Sequence, residues 1–299
     1  MSSTHASLQT GPSLGAMARI ETIRLAKNPF LIIGTLITFG FTIYFLFNST
    51  HDTPGDLLSW PVVPAFFIGL PSLVVMARQT RSTEAAAEAM SAAPGTEARR
   101  TQALLVACLL PAALGLAHVL VEVIIIAEFK STSRMEWWFG TMSDLRVWSI
   151  VLALAPVACL GGAILGVVVG RWLHFPGAAA VVVVALVVVD MVGQGLADSG
   201  NVEVARLALP WGSFHSGTNT DGTQVVYGGN ATMYLVYLLC LCAGAAIFAI
   251  RHDRSARTPQ LKRALAAVVV VGLAAMVLSM TTGDTESHRS DPVPWQIDK

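Results

Sequence analysis

Seven apolar runs, at 30–48, 60–76, 102–128, 147–170, 177–197, 231–250 and 264–280, alternate with polar segments along the chain. Crossing a bilayer takes about 20 apolar residues, with a range of about 17–25, and each run meets that length. Hydrocarbon offers no partner to a bare backbone amide, so each run is expected to be a helix. The fifth, with AAAVVVVALVVVD at its centre, would favour a strand in water. In lipid the backbone requirement overrides the stiffness of its valines. The pattern therefore predicts an all-α membrane protein, a polytopic helix bundle of six core spans plus a seventh.

The polar segments predict the rest of the organisation. Residues 1–15 (MSSTHASLQTGPSLG) are rich in Ser, Thr and Gly and are expected to be disordered. Residues 16–28 (AMARIETIRLAKN) show a helical period, with Met17, Ile20 and Ile23 along one side. Arg19, Glu21, Arg24 and Lys27 lie elsewhere, which suits an N-terminal interfacial amphipathic helix in the headgroup layer. The plainer alternative is a polar run-up to the first span. Pro29 fits a bend into the bilayer.

The segment 77–101 (ARQTRSTEAAAEAMSAAPGTEARRT) carries four arginines, two at each mouth. Within it, 83–93 reads as a separate short alanine-rich helix. Ser82 would be its N-cap, Thr83 and Glu84 would open it, Glu88 would lie inside it, and Pro94-Gly95 would stop it. A short helix hung between two spans is what a membrane subunit needs in order to be gripped by a soluble partner. The loop 198–230 is too long for a simple turn. Its 202–209 stretch is apolar enough for a short interfacial helix, and Trp211 suits that depth. The tail 281–299 is polar and expected to be unstructured.

Composition agrees with a membrane protein. Charged residues are 13% of the chain and apolar ones 54%, against about 25% charged in soluble domains, and mean hydropathy is +0.62. The formal net charge is zero, yet the charges are unevenly placed. With the N-terminus inside, the cytoplasmic segments hold thirteen Lys and Arg and the outer ones six, which predicts an N-in, C-out chain. No cleavable signal peptide is evident, so the first span is expected to target the chain. The four cysteines lie in apolar runs with no CxxC or Cys/His spacing, and read as inert.

Three ionisable side chains fall inside spans. His118 and Glu122 are four residues apart on one helix face, and Asp190 follows a Val/Leu run that offsets its insertion cost. They are either the polar lining of a transport path or structural hydrogen bonds between helices. Ala158, Gly162, Gly166 and Gly170 form a four-residue stripe that predicts close helix packing. No GxxxxGK[ST], HExxH or GxSxG occurs, so no P-loop, zincin or hydrolase site is expected, and no bound metal or cofactor.

Three stretches resemble the permease subunits of type-2 ABC exporters in an actinobacterial-like form. Glu21-x-x-Arg24-x-x-Lys27-Asn28-Pro29 is similar to that family's basic interfacial helix. The segment from Arg78 through Ala93-Pro94 to Glu97-Ala98-Arg99-Arg100-Thr101 resembles its coupling-helix loop. Pro210-Trp211, Tyr234-Leu235-Val236-Tyr237-Leu238 and Arg251-His252-Asp253-Arg254 resemble its outer loop, sixth span and basic exit. The resemblance covers residues 16–263, a six-span core at 29–263. The seventh span, 264–280, and the outer tail depart from it.

It implies a bacterial plasma-membrane permease that is not itself an enzyme. ATP and Mg would bind in separate ABC ATPase subunits docked at Thr83, Glu84, Glu88 and Pro94. A second permease copy or paralogue and membrane lipids would be the other partners, and nucleic acid none. The residues alone leave two alternatives: a proton-coupled secondary transporter using Glu122 and Asp190, or a non-transporting membrane accessory subunit.

Overall fold

Short polar side chains in the flanks start the helices, several residues before the apolar runs begin. The computed structural model describes residues 13–48, 58, 60–89, 96–129, 143–198, 203–212, 214–218, 224–283 and 288–289. The Ser13 hydroxyl accepts from the Ala16 amide at 3.3 Å and opens α1 (Leu14–Ala26). Helix therefore reaches into the stretch expected to be disordered, of which residues 1–12 lie outside the described residues. Asn28 Oδ1 then accepts from the Phe30 amide at 3.0 Å, and Pro29 begins α2 (Pro29–Asn48). Proline at a first helical position loses no hydrogen bond. The two axes turn by 63° at this junction.

The second span opens with a 3-10 turn at Trp60–Val62 and a π-turn at Ala65–Gly69, and continues as α3 (Leu70–Ala89). This corrects the expected separate helix at 83–93. The chain from Ser72 to Ala89 holds neither Gly nor Pro and is rich in Ala, Arg and Glu, so nothing stops the helix where the apolar run ends. Ser82 is not an N-cap: its hydroxyl donates to the Gln79 carbonyl at 2.9 Å inside the helix. Thr83 and Glu84 lie mid-helix, while Pro94-Gly95 falls outside the described residues.

The third span is α4 (Glu97–Ala107), capped by Thr96, joined through Cys108 to α5 (Leu109–Phe129). The fourth is α6 (Asp144–Leu152), capped by Ser143, a π-turn at Ala153–Val157 around Pro156, and α7 (Ala158–Trp172). Then come α8 (Ala178–Asp198), α9 (Ala231–Ile250) capped by Asn230, and α10 (Pro259–Thr281) capped by Thr258.

The described residues are thus helical almost throughout. Among the described residues six helices are long and apolar enough to cross a membrane, and α1 with α2 passes the same test only as a bent pair. The short helix expected in the 198–230 loop is a 3-10 helix, Glu203–Ala208. The loop's strands β1 (His215–Thr218) and β2 (Gln224–Val226) pair antiparallel. The tail is not wholly unstructured: β3 (His288–Arg289) pairs with β2.

The most extensive helix contact is α3 against α7. Gly162, Gly166 and Gly170 face α3 at backbone distance. A Cβ on Gly162 would stand 2.5 Å from the Gly69 carbonyl oxygen. One on Gly166 would stand 2.4 Å from that of Leu73, and one on Gly170 2.6 Å from Thr80 Cβ. The stripe's neighbour is therefore in the same chain. Gly161 lies off the seam, and a Cβ there meets only Cys242 Sγ at 3.5 Å.

This contrast yields a test. Gly166→Ala should lower stability by roughly 1–3 kcal/mol, the usual cost of overpacking a tight contact. Gly161→Ala should leave it unchanged or slightly higher, because alanine is the better helix former. Thermal unfolding of the purified protein reads both, and equal melting points would refute the seam.

Candidate functional site at the polar end of the bundle

Two polar junctions tie the helix ends together where the chain carries most of its arginines. In the first, α1 meets α3. Glu21 is 9% exposed and faces α3. Gln79 Nε2 donates to Glu21 Oε2 at 2.6 Å and to the Glu21 carbonyl at 2.9 Å. Arg24 Nη1 pairs with the same carboxylate at 3.1 Å, and its Nη2 donates to Ser82 Oγ at 3.0 Å. Thr83 Oγ1 completes the group at 3.5 Å from Glu21 Oε1. Two donors and a guanidinium satisfy the carboxylate, which is what its burial requires. Arg19 and Lys27 are exposed, as are Ile20 and Ile23. Only Ala18, Glu21 and Leu25 of α1 are buried.

In the second junction, Arg171 closes α7 and is 1% exposed. Its Nη1 lies 3.6 Å from Glu84 Oε1 of α3 and 3.4 Å from Glu97 Oε1 of α4. His252 Nδ1, just past α9, hydrogen-bonds the same Glu97 oxygen. Trp172 stacks on Phe248 with ring centroids 4.6 Å apart and meets the His252 ring edge-on. Asp253 Oδ2 accepts from the Ala98 amide at 2.9 Å, capping α4 from the far side of the bundle. The Ser255 hydroxyl bonded to Asp253 holds that carboxyl below the usual range. Its stabilising contribution is thus present above the unfolded value of about 4 and is lost as pH falls through the lower folded value. Arg81 donates to the Leu173 and Phe175 carbonyls.

Ligand atoms of Glu84, Glu97 and His252 lie within 4.8 Å of one another, close enough to share a metal ion. Arg171 already supplies the counter-charge to both glutamates, so the arrangement is an ion-pair cluster.

The residues singled out inside spans lie elsewhere and apart. His118 and Glu122 are fully buried in α5. His118 Nε2 is hydrogen-bonded to Thr42 Oγ1 of α2 at 2.8 Å, and its Nδ1 is 4.0 Å from Glu122 Oε2. Helix α5 packs on α2, α7 and the 153–157 π-turn, and α8 on α3, α7 and the Glu203–Ala208 turn. Asp190 of α8 accepts from Gln194 Nε2 at 2.7 Å, and Gln194 also reaches the Trp211 carbonyl at 3.1 Å.

Of the residues expected at a docking surface, Thr83 and Glu84 are brought to this end and spent on contacts within the chain, as are Glu21 and Arg24 of the expected interfacial helix. Sequence reasoning gave Gln79 and Arg171 no role in a site, and named Glu97, His252 and Asp253 only within stretches of family resemblance. One signal was present: Arg171-Trp172 ends an apolar run with a charge beside an aromatic anchor. The architecture defines a helical protein compatible with embedding in a membrane. Comparison with protein-family models, curated proteins and solved structures finds no match to this chain.

Replacing Arg171 tests the second junction. Arg171→Met should destabilise by roughly 2 kcal/mol, less than the roughly 3–5 of a fully buried pair, because both glutamates keep part of their surface in water. Adding Glu97→Gln should restore part of that loss. Equal melting points for wild type and Arg171→Met would remove the junction's claim to hold the helix ends together.

Proposed function

We propose that this chain is the membrane permease subunit of an ABC-type exporter, coupled to separate ATPase subunits. The observation that carries the reading is the pair of polar junctions, which fasten α1, α3, α4, α7 and α9 into one platform. Helix α3 runs through that platform and on to Ala89, beyond the apolar layer. A push on the polar segment after it would reach five helices at once. In this reading the platform faces the cytoplasm of a bacterium, α1 lies in the headgroup layer, α2 and the six long helices cross, and the C-terminus is outside. Two such chains, identical or paralogous, flank the translocation path, with ATP and Mg bound in the partner ATPases. The docking surface shifts from that expected at Thr83 and Glu84. These two hold the platform together, and the contact with the ATPase falls on 85–95, around Glu88 and Pro94.

The proton-coupled alternative rests on Glu122 and Asp190. Glu122 is fully buried in α5 beside His118, and Asp190 is 4% exposed in α8 beside Gln194. The two acids thus have separate surroundings that are nearly closed to water, which makes it the weaker reading.

Purification of the tagged chain from its native membranes in mild detergent tests the proposal. A stoichiometric P-loop ATPase is expected to come with it. A Gly/Ser linker of equal length at 85–95 is expected to release that ATPase while the permease keeps its melting point. Repeated recovery of the intact chain alone would contradict the coupling. An ATPase retained by the linker variant would contradict the docking surface.

A further inference from the structure

The turn between α9 and α10 concentrates positive charge. Arg251, Arg254 and Arg257 lie in it, and Lys262 and Arg263 follow within the first two turns of α10. Its shape is fixed by its own hydrogen bonds. Asp253 Oδ1 accepts from the Ser255 amide at 2.8 Å and caps the 3-10 turn Arg254–Ala256. Arg257 Nε donates to the Arg251 carbonyl at 3.0 Å, and Thr258 Oγ1 accepts from the Leu261 amide at 3.2 Å to open α10. Asp253 Oδ2 holds the Ala98 amide, so Arg99, in the first turn of α4, stands beside the same turn.

The acids at this end are already engaged. Glu84 and Glu97 face Arg171, Glu97 also meets His252, and Glu21 holds Gln79 and Arg24. Among the described residues no carboxylate pairs with Arg99, Arg254, Arg257, Lys262 or Arg263. All five are exposed. The N-terminal ends of α4 and α10 lie at this surface too, so the helix dipoles add to its charge rather than offset it.

The same helices show what lies next to it. Phe248, one turn before Arg251 on α9, is exposed and stacks on exposed Trp172. On α10, Val269, Val270 and Val271 are exposed, two turns after Lys262. Cations thus give way to an aromatic pair and then to bare valines. Headgroups, interface and hydrocarbon succeed one another in that order in a bilayer.

We infer that this surface, the α9–α10 turn with the start of α4, binds the headgroups of anionic phospholipids. A polybasic segment beside a span is drawn to an anionic leaflet, and a guanidinium matches a phosphate with two hydrogen bonds. A protein with an acidic face fits less well, because Lys262 and Arg263 stand at the edge of the bare apolar face of α10, where lipid is the neighbour. The lipid also acts on the platform. His252 and Asp253, which tie α9 to Glu97 and to the Ala98 amide, directly precede Arg254. Headgroups that hold the turn therefore hold the second junction, and anionic lipid stabilises the folded chain. The inference goes beyond the export reading: it needs the bundle to lie in a membrane and does not need an ATPase.

The full chain is reconstituted in nanodiscs of phosphatidylcholine, with or without phosphatidylglycerol, and its melting temperature is measured. Wild type is expected to melt several degrees higher with phosphatidylglycerol, and to lose the difference in high salt, which screens exposed charges. Arg254→Gln, Lys262→Gln and Arg263→Gln are combined in one variant. None of these side chains has a hydrogen bond or ion pair among the described residues. The variant is therefore expected to melt with wild type in phosphatidylcholine alone and to lose most of the shift. If it melts lower there, Lys262→Gln with Arg263→Gln, both on α10, carries the same comparison. Phosphatidylglycerol retained through detergent purification, counted by mass spectrometry, is expected to fall roughly tenfold in the variant.

Equal melting of wild type in both lipids, or a full shift in the variants, overturns the site. A variant that keeps its lipid shift but releases a co-purifying ATPase overturns it in favour of an acidic protein partner. A shift lost in the variant supports the site, whether or not an ATPase is recovered.

Discussion

The close approach of α3 and α7 is the constraint from which the rest follows. In lipid, no hydrophobic force draws two apolar helices together, so contact depends on how near their backbones can come. Gly162, Gly166 and Gly170 bring α7 onto the carbonyls of Gly69, Leu73 and Ala77. That contact fixes the register between the two helices along three turns. Arg171 comes one residue after the last glycine, so the same register sets it against Glu84 of α3. The packing of two apolar helix faces thus decides which charges meet at the helix ends.

At that edge α3 is the shared member of both junctions. Gln79, Ser82 and Thr83 face α1, and Glu84 faces Arg171. The individual contacts are modest, because most partners keep some surface in water and screening is strong there. Their value lies in number and placement. Asp253 and His252 add α9 to α4, and Arg81 adds the end of α7, so separate helices finish as one surface. The opposite end is held differently. There Tyr234 and Tyr237 donate their hydroxyls to the Leu209 and Ala208 carbonyls, and buried Arg206 donates to the Gly228 carbonyl at 2.7 Å.

Much of this architecture was legible in the sequence, because apolar length and small-residue spacing are local signals. The seven runs each became helix, and the glycine stripe marked the face of α7 that packs. The errors have physical causes. A separate helix at 83–93 was inferred from a serine that resembles a cap. Yet a cap signal has no force where the preceding residues are already helical and nothing breaks the run. The π-turns at Ala65–Gly69 and Ala153–Val157 carried no signal beyond nearby prolines. The ion-pair cluster was invisible because Arg171, Glu97 and His252 are 74 to 155 positions apart along the chain. His118 and Glu122 were legible as neighbours on one face, but the Thr42 partner on another helix was not.

The central claim is that the polar platform lies inside the cell and that α10 crosses the membrane away from it. Arg254, beside the platform, and Thr282, just past α10, are both exposed and flank that helix. Single cysteines at these two positions, labelled in intact cells with a membrane-impermeant maleimide, test it most directly. Cys108, Cys159 and Cys242 are buried and Cys240 sits within α9, which keeps the background low. The account predicts labelling of Thr282→Cys in intact cells and of Arg254→Cys only after permeabilisation. Labelling of Arg254→Cys from outside, or protection of both, would contradict it.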